Sequence, residues 1–297
     1  MIIEEKIAVA LGLTVTACTL IGAVALAFNP PRLNPAKPIA SVPVAEFVRA
    51  ASMPDKQNPE LSRQQQILFF GTDDRLVIPA PYPAPFAAIG QLTTKNDYNC
   101  TATLVASDLA VTAAHCFMME ARKPDAGLWF KAGFHQGEYQ AKYQVLDQVF
   151  HPAFKRGLQY KGNDVYILPQ AAEHDIAWLK VKLVEGVAPT PMPLFKGERA
   201  ALEQAFKTAN MQLNQGGFAE DHDQLLTAHL ACSLTQFRQN NTLFHRCDTL
   251  SGDSGSPIWL TTDQGPLLIG VQSSAPDWFN RQKADNVGVS VLQLPAL

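Results

Sequence analysis

The sequence predicts an all-β fold made of two barrel-like halves. From residue 67 onward, short β-forming runs bounded by turn residues recur, and several alternate apolar with polar residues as half-buried strands do. Charged residues are only 17% of the chain and proline occurs 21 times, which favours short strands over long surface helices. A proline-rich segment at 189–193 divides the runs into two sets of similar length. Each set is long enough for one barrel.

The first set of predicted strands forms a barrel at about 67–188, and the second forms a barrel at about 189–297. The first set comprises 67–70, 87–92, 102–105, 110–112, 129–132, 143–150 and 176–181. The second set comprises 226–234, 243–246, 257–261, 267–273 and 287–292. Only 196–209 has a helical pattern, with its apolar residues loosely on one side. An apolar content of 47% supports a substantial core for this domain at 67–297.

The N-terminal segment at 1–28 is predicted to direct the chain out of the cytoplasm. Residues 7–28 are apolar without a charge and are long enough to span a bilayer. They also resemble a secretory signal with an Ala-Leu-Ala site at 25–27, and Val-Thr-Ala-Cys at 15–18 resembles a lipoprotein-processing box. The alternatives are therefore a cleaved signal, an uncleaved membrane anchor and a lipidated Cys18. All three predict a secreted or periplasmic protein, membrane-anchored in the second case.

The next segment, at 29–66, is predicted to be a linker or pro-segment. It is rich in proline, low in apolar residues and without sustained periodicity. The net charge of the whole chain is −3, and no basic stretch marks a nucleic-acid surface. Nucleic acid is therefore excluded as an expected partner.

Cysteine usage agrees with a location outside the cytoplasm. Apart from Cys18, the chain has an even set of four cysteines, which allows three disulfide pairings. The sequence-local pairing, Cys100–Cys116 with Cys232–Cys247, would close two small loops, each worth about 3 kcal/mol in the chain-entropy model. The rival interpretation is a zinc site, but there is no C-x-x-C and no standard finger spacing. No metal and no cofactor are predicted.

Three segments carry residues suited to catalysis by a serine nucleophile. Ser254 lies in a Gly-Asp-Ser-Gly run typical of a tight turn, where the amides of Gly252 and Ser254 could form an oxyanion hole. His115 follows a short apolar strand and can take the proton of the attacking hydroxyl, while Asp175 opens an apolar run and can fix the histidine tautomer. Together they predict a catalytic triad. Two other aspartates are rivals for the third role: Asp147 and Asp164.

These segments resemble those of the chymotrypsin/trypsin-like serine endopeptidases, most closely the bacterial group that includes the glutamyl endopeptidases. The matching runs are Thr-Ala-Ala-His-Cys at 112–116, Asp-Ile-Ala-Trp-Leu at 175–179 and Gly-Asp-Ser-Gly-Ser-Pro at 252–257. The resemblance covers about residues 67–293. It implies a two-barrel chymotrypsin-like fold with the active site between the barrels. It also implies hydrolysis of protein or peptide substrates through an acyl-enzyme.

The resemblance also implies substrate-binding positions. Asp248 matches the aspartate with which some relatives pair an Arg or Lys before the cut, although its place beside Cys247 equally fits a structural role. Gln272 stands where glutamyl enzymes usually carry histidine, which weakens a preference for acidic residues. The other implied positions are Ser273, Ser274, Ala275 and Gly288.

Asp253, directly before the predicted nucleophile, has two interpretations. In relatives made as zymogens, this aspartate pairs with a newly freed N-terminal amine. The resemblance thus implies cleavage near 63–67, for example before Ile67. The alternative is a fixed internal partner for Asp253 without processing.

Two other classes of protein are weighed against the serine endopeptidase. One is a catalytically silent relative that binds proteins, which the complete set of triad and oxyanion positions disfavours. The other is an α/β-hydrolase esterase. That class is excluded because the serine run is not G-x-S-x-G and the chain order is His, Asp, Ser.

Overall fold

The computed structural model describes residues 48–49, 59–118, 124–162 and 164–297. Its strands are β1 (Val48–Arg49), β2 (Leu76–Val77), β3 (Ile89–Thr94), β4 (Asn99–Ala106), β5 (Leu109–Thr112), β6 (Gly127–Ala132), β7 (Ala141–Phe150), β8 (Leu158–Lys161), β9 (Asp164–Ile167), β10 (Ala177–Gly186), β11 (Gln212–Gly217), β12 (Thr227–Phe237), β13 (Thr242–His245), β14 (Pro257–Thr262), β15 (Gly265–Ser274) and β16 (Asn286–Ser290). Its α-helices are α1 (Pro59–Leu68), α2 (Pro152–Arg156), α3 (Pro169–Ala172) and α4 (Arg199–Thr208). Short 3-10 helices lie between them.

The first barrel is a closed antiparallel ring in the order β10-β5-β4-β3-β6-β7. The first half of β7 has the two-residue period of a sheet with one buried face: Ala141, Tyr143 and Val145 are buried, while Gln144 and Leu146 face solvent. In β3 and β4, by contrast, nearly all central residues are buried.

The second barrel is also a closed ring of six strands, in the order β12-β11-β14-β15-β16-β13, with β13 returning to pair with β12. The short strands β1 and β2 extend its sheet at the edge of β12. Two closed six-stranded barrels confirm the all-β, two-barrel fold predicted from the sequence.

Helix α4 covers the core of the second barrel. Leu202 and Phe206, one helical turn apart, are buried and join the apolar cluster that contains Leu213 and Ile258. The C-terminal residues run back to the first barrel, where Trp178 Nε1 donates to Pro295 O over 2.8 Å. These contacts leave the loops between the barrels as the place for a site.

The structure corrects several predicted elements. Residues 67–70 are not a strand: Ile67 and Leu68 form the end of α1, and Phe69 after it is buried against Leu250 instead of pairing in a sheet. Helix α1 itself begins within the segment predicted to be a linker. Strand β11 was not predicted, because its Asn, Gln and Gly residues hide the β pattern, and neither was the β8–β9 hairpin.

The predicted signal or anchor at 1–28 lies outside the described residues, as does most of 29–66. Within the part of the chain that the structure describes, no helix has the length and hydropathy needed to cross a membrane.

Candidate active site

The histidine and the aspartate of the site come from neighbouring strands of the first barrel. His115 lies in a 3-10 turn directly after β5, and Asp175 directly precedes β10. Because β5 and β10 pair, with Thr112 opposite Ala177, the two side chains meet at one end of the barrel. His115 Nδ1 lies 2.6 Å from Asp175 Oδ2, and the His115 backbone N–H donates to Asp175 Oδ1 over 2.7 Å.

The serine comes from the second barrel, on the turn before β14. Ser254 Oγ lies 2.8 Å from His115 Nε2. The turn needs glycine on both sides of the serine, since Gly252 and Gly255 have φ angles of +92° and +80°. At Gly255 a Cβ would also lie 2.3 Å from Thr101 O. The structure therefore brings together all three residues that the sequence assigns to the triad.

The pKa values of Asp175 and His115 shift in opposite directions because each side chain stabilises the charge of the other. Burial acts to raise the pKa of Asp175, but the charge of His115 and hydrogen bonds from His115 and Ser273 outweigh it and lower that pKa. Burial acts to lower the pKa of His115, and the Asp175 carboxylate outweighs it and raises that pKa. An imidazole made more basic by an ionised carboxylate can accept, at Nε2, the proton of a hydroxyl held against it.

Two backbone amides of the serine turn are available for an oxyanion. Among the described residues, neither the Gly252 amide nor the Ser254 amide has a hydrogen-bond acceptor in the protein. The neighbouring Asp253 amide is used, since it donates to Leu250 O over 3.2 Å. Amides that the protein leaves unused can donate to an oxyanion formed at the neighbouring Ser254.

Sequence reasoning missed the contacts by which two residues hold this geometry. Ser273, predicted to bind substrate, is among the residues that line the cavity beside Ser254, and its buried hydroxyl also donates to Asp175 Oδ2 over 2.6 Å, which fixes the carboxylate. Thr101 connects the barrels: its amide donates to Ser254 O over 2.9 Å and its hydroxyl donates to Gly252 O over 3.1 Å. The signal for Thr101 was its place beside Cys100, which is disulfide-bonded to the cysteine after His115.

A cavity of about 310 Å³ lies beside Ser254. The predicted substrate-binding residues Ser274 and Ala275 line it and are exposed. Helix α1 forms another part of its wall, where Gln65 Nε2 donates to Glu220 Oε1 over 2.8 Å. The site is therefore a cleft that α1 partly covers.

The structure places Asp248 away from this cavity. Its side chain is fully buried, and its carboxylate accepts from the amides of Phe70 and Asp74 over 2.9 and 2.8 Å. His229 Nδ1 lies 3.2 Å from the same carboxylate. Since neither oxygen is presented to the cavity, the expectation that Asp248 forms the base of a substrate pocket is corrected to a structural role.

Gly288 is the second correction. It is buried in β16, where a Cβ would lie 2.4 Å from Ile258 Cδ1 and 3.0 Å from Val271 O. The residue therefore permits close packing inside the second barrel and does not line the cavity beside Ser254.

Asp253 has internal partners in this structure. Its carboxylate accepts from Thr249 Oγ1 over 2.8 Å, from the Leu250 amide over 3.1 Å and from Ser256 Oγ over 3.4 Å. Burial raises its pKa to about 6, against the opposing charge of Arg75. Ile67, suggested above as a source of a free amine, lies inside α1.

Two further features concern cysteines and metals. The disulfides are Cys100–Cys116 and Cys232–Cys247, the sequence-local pairing. In the described part of the chain, one group of side chains has the composition of a metal site: Asp74, His229 and Asp248. The His229 atom of this group is already engaged within the protein, since His229 Nδ1 accepts a hydrogen bond from the Asp248 amide over 2.9 Å.

Comparison with known proteins identifies the family. The sequence model of the trypsin-like peptidase domain matches residues 100–271, more than half of the chain. The chain belongs to the trypsin-like peptidases. It is thus a serine endopeptidase that acts on protein or peptide substrates.

Solved structures similar to this peptidase include a Glu endopeptidase in complex with MPD, with 17% identity and a TM-score of 0.56 over 75% of this chain and 94% of the other. HL collagenase is similar with 21% identity and a TM-score of 0.52 over 70% of this chain and 89% of the other. At these identities the likeness shows the fold. A search of curated proteins finds no sequence match to the peptidase.

Proposed function

We propose that this peptidase cleaves peptide bonds with Ser254 as nucleophile, His115 as general base and acid, and Asp175 as the carboxylate that orients His115. The observation that carries the proposal is the continuous line of contacts from Asp175 through His115 to Ser254, with distances of 2.6 and 2.8 Å. These are hydrogen-bond distances between groups contributed by two different barrels.

In the proposed reaction, Ser254 Oγ attacks the carbonyl carbon while His115 Nε2 takes its proton. The negative charge that develops on the carbonyl oxygen is bound by the amides of Gly252 and Ser254. His115 then gives its proton to the leaving amine, and an acyl-enzyme remains. Water repeats the sequence with His115 again as base, which frees the acid product and restores Ser254.

The test is covalent labelling with a fluorophosphonate probe, which reacts with activated serines. Wild-type protein should be labelled at Ser254, and Ser254→Ala should not be labelled. Ser107→Ala changes an exposed serine on the β4–β5 turn and is the matched control, expected to label fully. A folded wild-type protein that is not labelled at Ser254 would support the alternative, a catalytically silent binding protein.

We further propose a preference for Arg or Lys near the cut, on a different basis from Asp248. Glu220 and Asp277 are the charged residues among the described lining of the cavity beside Ser254, and both are acidic and exposed. A peptide-library cleavage profile should show enrichment of basic residues. That enrichment should decrease in Glu220→Gln with Asp277→Asn, and it should persist in Asp248→Asn provided that this variant folds.

We also propose that the segment before residue 67 is removed during activation. The supporting observation is that Gln64 and Gln65, which lie in this segment, line the cavity beside Ser254. Mass spectrometry of the active enzyme should find a new N-terminus near 63–67. Active enzyme that retains residues 40–66 would contradict the proposal.

The proposed site of action is outside the cytoplasm, by secretion or in the periplasm. The supporting observations are the apolar run at 7–28 and the two disulfides, which persist in oxidising compartments. Fractionation of cells expressing the full chain tests the location. Intact-mass measurement separates the three fates, since a cleaved signal removes residues 1–28, an anchor keeps them in the membrane fraction, and lipidation adds acyl mass at Cys18.

A further inference from the structure

A second cavity, of about 580 Å³, lies on the second barrel. Its walls come from the segment after α1, from β12 and β13, and from the 3-10 helix Trp278–Lys283 with the residues that follow it. It shares no lining residue with the cavity beside Ser254. Its volume is within the range of pockets that hold small organic ligands, about 300–1,000 Å³.

The lining of this cavity is strongly basic. Four cationic side chains face it: Arg238, Arg246, Arg281 and Lys283. Asp285 is the acidic residue in the described lining, and it is engaged by Arg246 Nε at 3.1 Å and by Thr235 Oγ1 at 2.6 Å. The cavity therefore has an excess of positive charge, although the net charge of the chain is −3.

Arg281 is the most deeply buried of these four cations. It is only 4% exposed, and its Nη atoms donate to Ala284 O and Asn286 Oδ1, both neutral acceptors. Among the residues that the structure describes, its Nε has no hydrogen-bond partner. Burial lowers its pKa against the opposing charges of Asp285 and Asp248. A buried guanidinium without an ion-pair partner is stabilised by an anion in the adjoining cavity.

The three guanidinium groups make cation–π contacts with aromatic rings of the cavity wall. The Arg238 guanidinium lies 3.9 Å from the centroid of Phe244, and those of Arg281 and Arg246 lie 4.3 and 5.7 Å from the centroid of Phe70. Such cation–π contacts leave the guanidinium N–H groups that the protein does not use able to donate to a ligand. The arrangement suits a group with several anionic oxygens, because planar N–H donors match phosphate and carboxylate.

We propose that this cavity is a binding site for a small anionic ligand that carries a phosphate group or clustered carboxylates. The aromatic residues at its wall give additional affinity to a ligand with an apolar ring. The site is separate from the peptidase site and does not depend on the proposed roles of His115, Asp175 and Ser254.

Isothermal titration calorimetry on the full chain tests the proposal, with Ser254→Ala as background to prevent self-digestion. The probes are inorganic phosphate, citrate and phenyl phosphate. Citrate binding without phosphate binding identifies clustered carboxylates as the ligand group, and the reverse identifies phosphate. Phenyl phosphate should bind more tightly than phosphate because of Phe70 and Phe244. Binding should weaken as salt is raised, since charge carries the affinity.

The decisive variants change exposed cations of the cavity. Arg246→Gln combined with Lys283→Gln should weaken binding about tenfold or more, as expected from losing two charged contacts. Lys207→Gln, on α4 and outside the cavity, should bind like the background protein. Arg281→Lys should also bind more weakly, and if it does not fold, the exposed double variant decides. Absence of binding by all three probes at about 1–10 mM, a weak-binding range, or equal binding by the double variant, would overturn the proposal.

Discussion

Asp175 and Asp253 are both buried carboxylates within the active-site region, one from each barrel, yet their pKa values shift in opposite directions. The pKa of Asp175 is lowered, while that of Asp253 is raised to about 6. Both are desolvated to a similar degree, so burial does not explain the difference. The partners do: Asp175 faces His115, which can carry the compensating charge.

Asp253 lacks such a partner because the nearest arginine is already engaged. Arg75 pairs with Asp73 at 2.9 Å and with Asp221 at 2.5 Å, and the charge of Asp221 itself acts to raise the pKa of Asp253. The first barrel thus supplies a carboxylate–imidazole pair that can transfer a proton. The second barrel supplies a carboxylate that is held by neutral hydrogen-bond donors and has no cationic side chain as a direct partner among the described residues.

The largest expected effect is the decrease in kcat when the Asp175 carboxylate is replaced. Asp175→Asn should lower kcat about 10⁴-fold, because the amide favours the wrong tautomer of His115. The acid limb of kcat/KM should also move to lower pH, since loss of the carboxylate removes what raises the pKa of His115. Asp147→Asn, at an exposed rival position on β7, is the control and should retain full activity. A small decrease in the kcat of Asp175→Asn would show that the Asp175 carboxylate does not differ from that of Asp253 in its importance for catalysis.

The second carboxylate should control stability more than chemistry. Its pKa rises from 3.8 in the unfolded chain to about 6 in the folded protein. Between these values the folded state binds more protons, so the free energy of unfolding falls as pH rises, by about 3 kcal/mol in total from this group. Asp253→Asn should remove that slope. Chemical denaturation of the Ser254→Ala protein at several pH values measures it, and Asp263→Asn, an exposed aspartate, should keep the wild-type slope.

Ser273 tests how much one hydrogen bond contributes to the role of the Asp175 carboxylate. Ser273→Ala removes a hydrogen bond to the carboxylate, which raises the pKa of Asp175 and loosens its orientation. We expect kcat to fall about tenfold, consistent with the loss of one hydrogen bond to a charged group. Steady-state kinetics with a peptide ester checks it. An unchanged kcat would show that His115 alone fixes the carboxylate.

Thr249 provides the corresponding test for Asp253 and should have the smallest effect. Thr249→Val keeps the shape of the side chain and removes the donor to Asp253 Oδ2. Above pH 6, where Asp253 is ionised, the loss should be about 1–2 kcal/mol of unfolding free energy. At pH 4 it should be smaller, because the carboxyl is then protonated. Equal losses at both pH values would mean that the carboxylate charge is not what Thr249 stabilises.

The fold class could be predicted from the sequence because strand alternation is a local signal. The meeting of His115, Asp175 and Ser254 could be predicted because each lies in a distinctive motif, and the resemblance of the three motifs to those of serine endopeptidases implies a shared site. The positions of Asp248 and Gly288 could not. Whether Asp248 faces a pocket depends on the segment around Phe70 and Asp74, which is far away in sequence and whose amides occupy its carboxylate. The role of Ser273 was hidden for the same reason, since its partner lies 98 residues away.

The contacts of Thr101 have a consequence for how this peptidase can change in evolution. One residue of the first barrel donates to two carbonyls of the serine turn in the second, so neither barrel carries a complete set of positioning contacts. A chimera that joins the first barrel of one relative to the second barrel of another should fold each half, yet misplace its nucleophile unless the residue at this position is matched. We therefore expect substitutions of Thr101 to be tolerated only where the serine turn of the opposite half can accept them.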